Sequence, residues 1–287
     1  MQAKATSSSE PLVLVTGGTG KTGRRVAARL AERGIATRIA SRSADVALDW
    51  NDASTWEPAL DGATSVYLAY SPDLAIPGAT DTIRAFVDAA RAHGVKQIVL
   101  LSGRGEEEAQ ACEQIVAGSG LRWTVVRASW FAQNFSEGEF NHMIMNDAIT
   151  LPARDIPEPW IDINDIADVA VAALTEPGHN GEIYEVTGPH ALTMTEIAEM
   201  ISEASGRPIA YVDVPHDGFV AGLEEAGLPG DLVWLLGYLF DTVLDGRNSK
   251  VSDGVERALG RPPRSFRDFA QRIAARGIWN TDHPEVT

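Results

Sequence analysis

The sequence is short of cysteine, lysine, net positive charge and long apolar runs, and each shortage removes a class of function. A single cysteine, Cys112, permits no internal disulfide, which suits a reducing compartment and predicts a cytoplasmic protein. No motif surrounds that thiol, so it reads as a small apolar residue on a helix face rather than a nucleophile. Forty Asp and Glu against 24 Lys and Arg leave a formal net charge of -16. Nucleic acid is held through an excess of cations, so it is not expected as a partner. The longest apolar stretch, Leu232 to Phe240, falls well short of the roughly 20 residues that span a bilayer, and no membrane partner is expected. Residues 1–10 are polar and serine-rich, without the apolar core of a secretion signal, and are expected to form a disordered extension. Cysteine and histidine do not cluster, so no metal site is expected.

Lysine is confined to Lys4, Lys21, Lys96 and Lys250. The positions four before the last three are Gly17, Ala92 and Gly246, so a Tyr-x-x-x-Lys pair, in which the ammonium lowers the phenol pKa for proton transfer, cannot exist.

What is present centres on one stretch. The apolar run from Leu12 to Val15, closed by Thr16, enters a turn with Gly17, Gly20 and Gly23, and a helical pattern follows until Gly34. Glycine lets the backbone approach a phosphate, and the N–H groups and positive dipole end of the following helix favour an anion there. This Gly-x-x-Gly-x-x-Gly turn predicts a dinucleotide pyrophosphate site formed by Thr16, Gly17, Thr19, Gly20, Lys21, Thr22 and Gly23. Gly20-Lys21-Thr22 resembles the end of a P-loop, but that motif needs glycine at position 15, where Val15 stands. At the end of the second strand, Arg42 stands where an acidic residue would meet the 2′-hydroxyl of NAD, which predicts NADP(H) as cofactor. Lys21, Arg24 and Arg25 add local positive charge. Val46 to Trp50 is expected to form a short third strand, which places Asp49 to contact adenine and Trp50 at the adenosine end.

Further on, strands over Ser65–Tyr70, Gln97–Leu101 and Trp123–Arg127 alternate with helices over Ile76–His93 and Glu106–Ala117. The pattern predicts an α/β fold with a doubly wound parallel sheet, ligands binding at the carboxyl ends of its strands. We expect a dinucleotide-binding domain over 11–150, completed by returning segments within 160–188, and a smaller, mostly helical substrate domain over 189–280. Glu106, Glu107 and Glu108 read as acids favouring a helix start, Ile149 to Pro159 as irregular, and Asp162 and Asp165 as a turn and helix cap. Thr193 and Glu196 form a capping-box pattern.

Four segments carry a resemblance that covers about Leu12 to Ala275: the run Gly17 to Arg24, Val99 to Ser102, Val125 to Phe135, and Ile161 to Ala167. On these the chain resembles the NmrA-like branch of the atypical short-chain dehydrogenases. Asp49-Trp50, Trp130 to Asn134 and Arg247-Asn248-Ser249 make it most similar to the ergot-alkaloid iminium reductases of the agroclavine dehydrogenase or festuclavine synthase type. The resemblance implies a Rossmann-type domain, bound NADP(H), and a substrate cleft roofed by C-terminal helices. It places Ser102 near the nicotinamide, with Trp130, Phe131 and Asn134 on the same side; Ser129 stands where the family usually has proline.

Without the Tyr and Lys pair, reduction of a ketone is disfavoured, whereas an iminium ion, quinone or activated alkene can leave protonation to water or a weak donor. Tyr70, Ser102 and His142 are the candidate donors or polarising groups. The apolar run containing Trp234 and Tyr238 is expected to roof the cleft over Trp130, Phe131 and His142. The function expected is an NADPH-dependent reductase of a small aromatic or conjugated electrophile, a monomer or homodimer. The alternative is a non-catalytic NADP(H)-binding redox sensor.

Overall fold

The computed structural model describes residues 11–280; the expected extension over 1–10 lies outside them. Among the described residues the strands are β1 (Leu12–Thr16), β2 (Thr37–Ser41), β3 (Val46–Ala47), β4 (Ala63–Leu68), β5 (Gln97–Gly103), β6 (Arg122–Ala128), β7 (Ala148–Leu151), β8 (Glu182–Val186) and β9 (Ala210–Asp213). The first half of the chain contributes helices α1 (Gly23–Glu32), α2 (Trp56–Leu60), α3 (Ala79–Ala92), α4 (Glu107–Ala117) and α5 (Glu139–Met145). The second half contributes α6 (Ile163–Thr175), α7 (Met194–Ser205), α8 (His216–Glu225), α9 (Gly230–Tyr238), α10 (Gly254–Leu259) and α11 (Phe266–Ala275).

Seven strands form one parallel sheet in the order β3-β2-β1-β4-β5-β6-β8, while β7 and β9 pair in parallel as a separate ribbon. Alternation along each central strand sorts its side chains onto two faces. Val13 and Val15, with Tyr67 and Val99, pack under α1 and α6 against Val26, Leu30, Ile166 and Ala170. Leu14, Val66, Leu68, Ile98 and Leu100 face α2, α3 and α4, meeting Leu60, Ile83, Phe86 and Val116. Cys112 is fully buried in that second layer. The chain steps outward from β1 through β2 to β3 and then returns to place β4 on the other side of β1, so the order reverses between β1 and β4 and a crevice opens above their carboxyl ends. A third apolar cluster unites Phe135, Ile197, Phe240, Phe269 and Trp279 in the C-terminal half.

Several local expectations change. The third strand stops at Ala47, because Asp49 turns the chain: its Oδ1 accepts from the Asn51 amide at 3.0 Å. Ala148–Leu151, within the segment expected to be irregular, is a strand, because Ile149 and Leu151 alternate with exposed Thr150 and bury completely in the third cluster. Asp162 does cap α6, accepting from the Asn164 amide at 2.8 Å. Asp165 does not: it is wholly buried and holds the segment before α11, accepting from the Arg264 amide at 2.7 Å and pairing with Arg261 at 2.8 Å. The Thr193 and Glu196 capping box forms as expected. No helix among the described residues is long and apolar enough to cross a membrane.

Candidate active site

A cavity of about 810 Å³ occupies the crevice at the carboxyl ends of the strands. Its floor begins at the glycine turn. Gly17 has a left-handed backbone, φ +58°, and the Gly20 amide donates back to its carbonyl at 2.9 Å, which closes the turn. The backbone N–H groups of Thr19, Lys21 and Thr22 find no protein acceptor among the described residues, and all three residues line the cavity. This is the donor set that a pyrophosphate requires at a helix N-terminus.

Two residues expected in contact serve the turn from beneath. Thr16 does not line the cavity: its hydroxyl lies 3.1 Å from the Ala69 carbonyl and accepts from the Ala69 amide at 2.8 Å, joining β1 to the end of β4. Gly23 is also outside the lining, packed so tightly that a Cβ would strike the Gly17 carbonyl. Lys21 lines the cavity and donates from Nζ to Asn134 Oδ1 at 2.7 Å, tying the turn to the aromatic segment. Burial lowers the Lys21 pKa, opposed by Glu137. Arg24 and Arg25 turn instead to Glu137.

At the adenosine end, Arg42 lines the cavity, exposed and without a hydrogen-bond or ion-pair partner among the described residues. Beside it, the Thr19 hydroxyl donates to Ser41 Oγ at 3.0 Å and lies 3.3 Å from Ser43 Oγ. No carboxylate lines this end. Trp50 contributes an edge, its ring 5.0 Å from Tyr70. Asp49 does not line the cavity, because its side chain is turned to the local loop.

Tyr70, beside Trp50, lines the cavity, as do Ser102, Trp130, Phe131 and Asn134. Trp130 rests on Trp160 and Phe240, with ring centroids 5.6 and 5.0 Å away. The segment holding it is fixed by backbone pairing with Ile161. Ser129, in the place of the family's proline, donates from its hydroxyl to the Pro159 carbonyl at 2.6 Å and thereby supports the same turn. The Ser102 hydroxyl is committed to Glu113 Oε1 at 2.6 Å, so its one proton is not directed at a ligand. Burial raises the Tyr70 phenol. Burial and neighbouring carboxylates push the Cys112 thiol up to about 12, which keeps it inert.

His142, Trp234 and Tyr238 do not line the cavity. His142 is exposed on α5, whereas its neighbour Met143 faces in. On α9 the Trp234 and Tyr238 rings stack outward at 5.3 Å, and Leu232 and Leu236 roof the cleft instead. Phe219 and Leu223 of α8 complete that roof. The only carboxylates in the lining are Asp73, after β4, and Glu106, before α4; neither is among the expected site residues, and the sequence reads Glu106 only as an acid favouring a helix start. Among the described residues, no group of three His, Cys, Asp or Glu side chains is placed to hold a metal.

The model of the NmrA-like family matches residues 9–233. An uncharacterized oxidoreductase of Bacillus subtilis is 33% identical over 92% of this chain and 95% of its own. Agroclavine dehydrogenase of Claviceps fusiformis is 32% identical over 90% and 95%. In fold, the chain is similar to the NADPH-dependent quinone oxidoreductase of Escherichia coli crystallised with NADPH, at a TM-score of 0.73, 23% identity, and coverage of 91% and 99%.

Proposed function

The chain belongs to the NmrA-like family, and on that premise we propose that it is an NADPH-dependent reductase that delivers hydride to a small conjugated electrophile. NAD(P)H-dependent oxidoreduction is the class its relatives support; the electrophile, an iminium ion, quinone or activated alkene, is our reading of the site. The observation that carries it is the continuity of one cavity: a phosphate-binding turn and Arg42 at one end, an apolar chamber walled by Trp130 and Phe131 and roofed by Leu232 and Leu236 at the other.

The residues present fit the dinucleotide. Unpaired amides of Thr19, Lys21 and Thr22 would hold the pyrophosphate, and Arg42 with the Ser41 and Ser43 hydroxyls would hold the 2′-phosphate. The bound nicotinamide would supply hydride; the protein supplies orientation and a dry surface. Trp130 and Phe131 offer flat apolar faces to a planar acceptor, and the leucine roof excludes water from it.

Loss of the Arg42 contact separates the two cofactors. Arg42→Ala is expected to raise the NADPH dissociation constant by on the order of tenfold or more, the worth of a charge-assisted contact, with little change for NADH. Titration of both by isothermal calorimetry checks it, and equal shifts for the two cofactors refute it.

The reductase reading is tested by following NADPH oxidation against a panel of quinones, enones and preformed iminium ions. Turnover of at least one class supports it. Binding of NADP+ and NADPH with very different affinities and no turnover supports a redox sensor instead; the apolar chamber beyond the dinucleotide cradle favours the enzyme.

A further inference from the structure

Asp73 and Glu106 reach the same cavity from the loops that follow two neighbouring strands, β4 and β5, and each carboxyl group acts on the other. Glu106 is 6% exposed, its carboxylate lies directly over the Cα of Gly103 at the end of β5, and its Oε2 has no hydrogen-bond partner. Asp73 receives the Ala75 amide, at 2.8 Å on Oδ1. No cation answers the pair. Arg104, the nearest in sequence, turns away to Glu185 at 2.7 Å and to the carbonyls of Asn248 and Lys250. The groups facing the pair from α4 are Glu108, Cys112 and Glu113, none of them positive. Glu113 is neutralised by Arg127, and Glu108 accepts from the Tyr238 hydroxyl at 3.2 Å.

We propose that Asp73 and Glu106 share one proton and that Glu106 delivers it to the reduced substrate, in place of the missing Tyr and Lys pair. The inference rests on the reductase reading. Two neighbouring carboxyls with further carboxylates and no cation facing them disfavour double ionisation, so one proton satisfies the pair and supplies the donor that Oε2 lacks. Burial, then the charge of Asp73, holds the Glu106 carboxyl well above its ordinary value.

The step balances. Hydride from the reduced nicotinamide brings two electrons and a hydrogen to the electrophilic carbon of a quinone or enone, and the π pair moves to oxygen or to the α-carbon. That atom takes the proton as the Glu106 O–H bond breaks, its electrons staying on the carboxylate. The emptied pair regains a proton from water at the cavity mouth. An iminium ion differs: hydride alone makes a neutral amine, with no proton required.

Two measurements test this. In infrared spectra of the cofactor-free protein at neutral pH, the parent minus E106Q difference is expected to contain the carbonyl stretch of a neutral carboxylic acid; no such band means both groups are ionised and overturns the proposal. In single turnovers with saturating NADPH, E106Q is expected to slow quinone or enone reduction by about a hundredfold, the usual scale of general acid catalysis. Reduction of a preformed iminium ion and the NADPH dissociation constant should stay within about threefold, since neither needs the proton. Asp73→Asn, which removes the like-charged neighbour of Glu106, should move the alkaline limit of quinone reduction down by about one pH unit. An equal fall for quinone and iminium marks a packing defect, and a fall for the iminium alone marks a cation-binding site; either overturns proton delivery. A parent that turns over neither class overturns the reductase reading and delivery with it, whereas the infrared band still reports the shared proton.

Discussion

Gly23→Val is expected to raise the NADPH dissociation constant at least about a hundredfold, some 2.7 kcal/mol, and to cost about 1 to 3 kcal/mol of stability. A side chain at position 23 meets the carbonyl of Gly17 and the Cα of Gly18, backbone atoms with no rotamer to change. The turn cannot yield locally, because the Gly17 carbonyl already accepts from the Gly20 amide and its left-handed φ is what aims the loop at the cavity. Opening it moves the amides of Thr19, Lys21 and Thr22 away from the pyrophosphate. Gly34→Ala is the control. Gly34 is also left-handed, φ +69°, but a Cβ there meets open space at the far end of α1, so the cost is about 1 to 2 kcal/mol of backbone strain without loss of affinity. Calorimetric titration with NADPH, beside thermal melts, separates the two effects. Parent-like binding by Gly23→Val would mean that the pyrophosphate does not sit on this turn.

Legibility in the sequence followed the length of the pattern. The core of the sheet was readable because Leu12–Thr16, Ala63–Leu68 and Gln97–Gly103 are apolar on both faces, and because each is followed by a helix with one dry stripe. The cofactor end was readable because backbone geometry demands glycine at fixed places. The substrate end was harder. On α9 nearly every residue is apolar, so periodicity cannot say which side turns inward: Leu232 and Leu236 face the cleft, while Trp234 and Tyr238, the more conspicuous pair, do not. His142 and Met143 are adjacent in sequence, and the helix separates them by about 100° of rotation, which sends the polar one outward. Glu106 was hidden by its neighbours. Glu107 and Glu108 open α4 as expected, whereas Glu106, the residue before it, has extended backbone and makes no capping bond. Only the fold brings Asp73 beside it, and no local pattern records that meeting. Ser102 shows the reverse, a suggestive position whose hydroxyl is claimed by Glu113 one helix away.

Glu158→Gln is expected to stabilise the protein by roughly 4 kcal/mol at pH 8 and by almost nothing at pH 4, a rise in melting temperature of about 8 °C at the alkaline end. Glu158 is 1% exposed and its Oε1 has no partner. Burial pushes its carboxyl up to about 8, against a pull from Arg104 the other way. In the unfolded chain the same group titrates near its ordinary 4.5, so between those values the folded state holds a proton that the unfolded state has released. Stability therefore falls as pH rises through this window, by up to about 1.4 kcal/mol per pH unit, and the amide, which has no proton to lose, abolishes the slope. The acid side runs the other way. Although burial acts to raise Asp168, Arg29 and Arg264 hold it below its ordinary range, and Arg25 and Arg24 do the same for Glu137. Their contribution is present above the unfolded values and is lost as pH falls through the folded ones. The parent should thus be most stable at mildly acidic pH, and melting curves taken across pH should show Glu158→Gln extending the plateau upward without moving its acid edge. Parallel curves for the two proteins would mean that Glu158 is ionised in the fold. The extension should also be incomplete, because the proton shared by Asp73 and Glu106 carries a slope of the same sign, and that remainder should disappear only when E106Q is added.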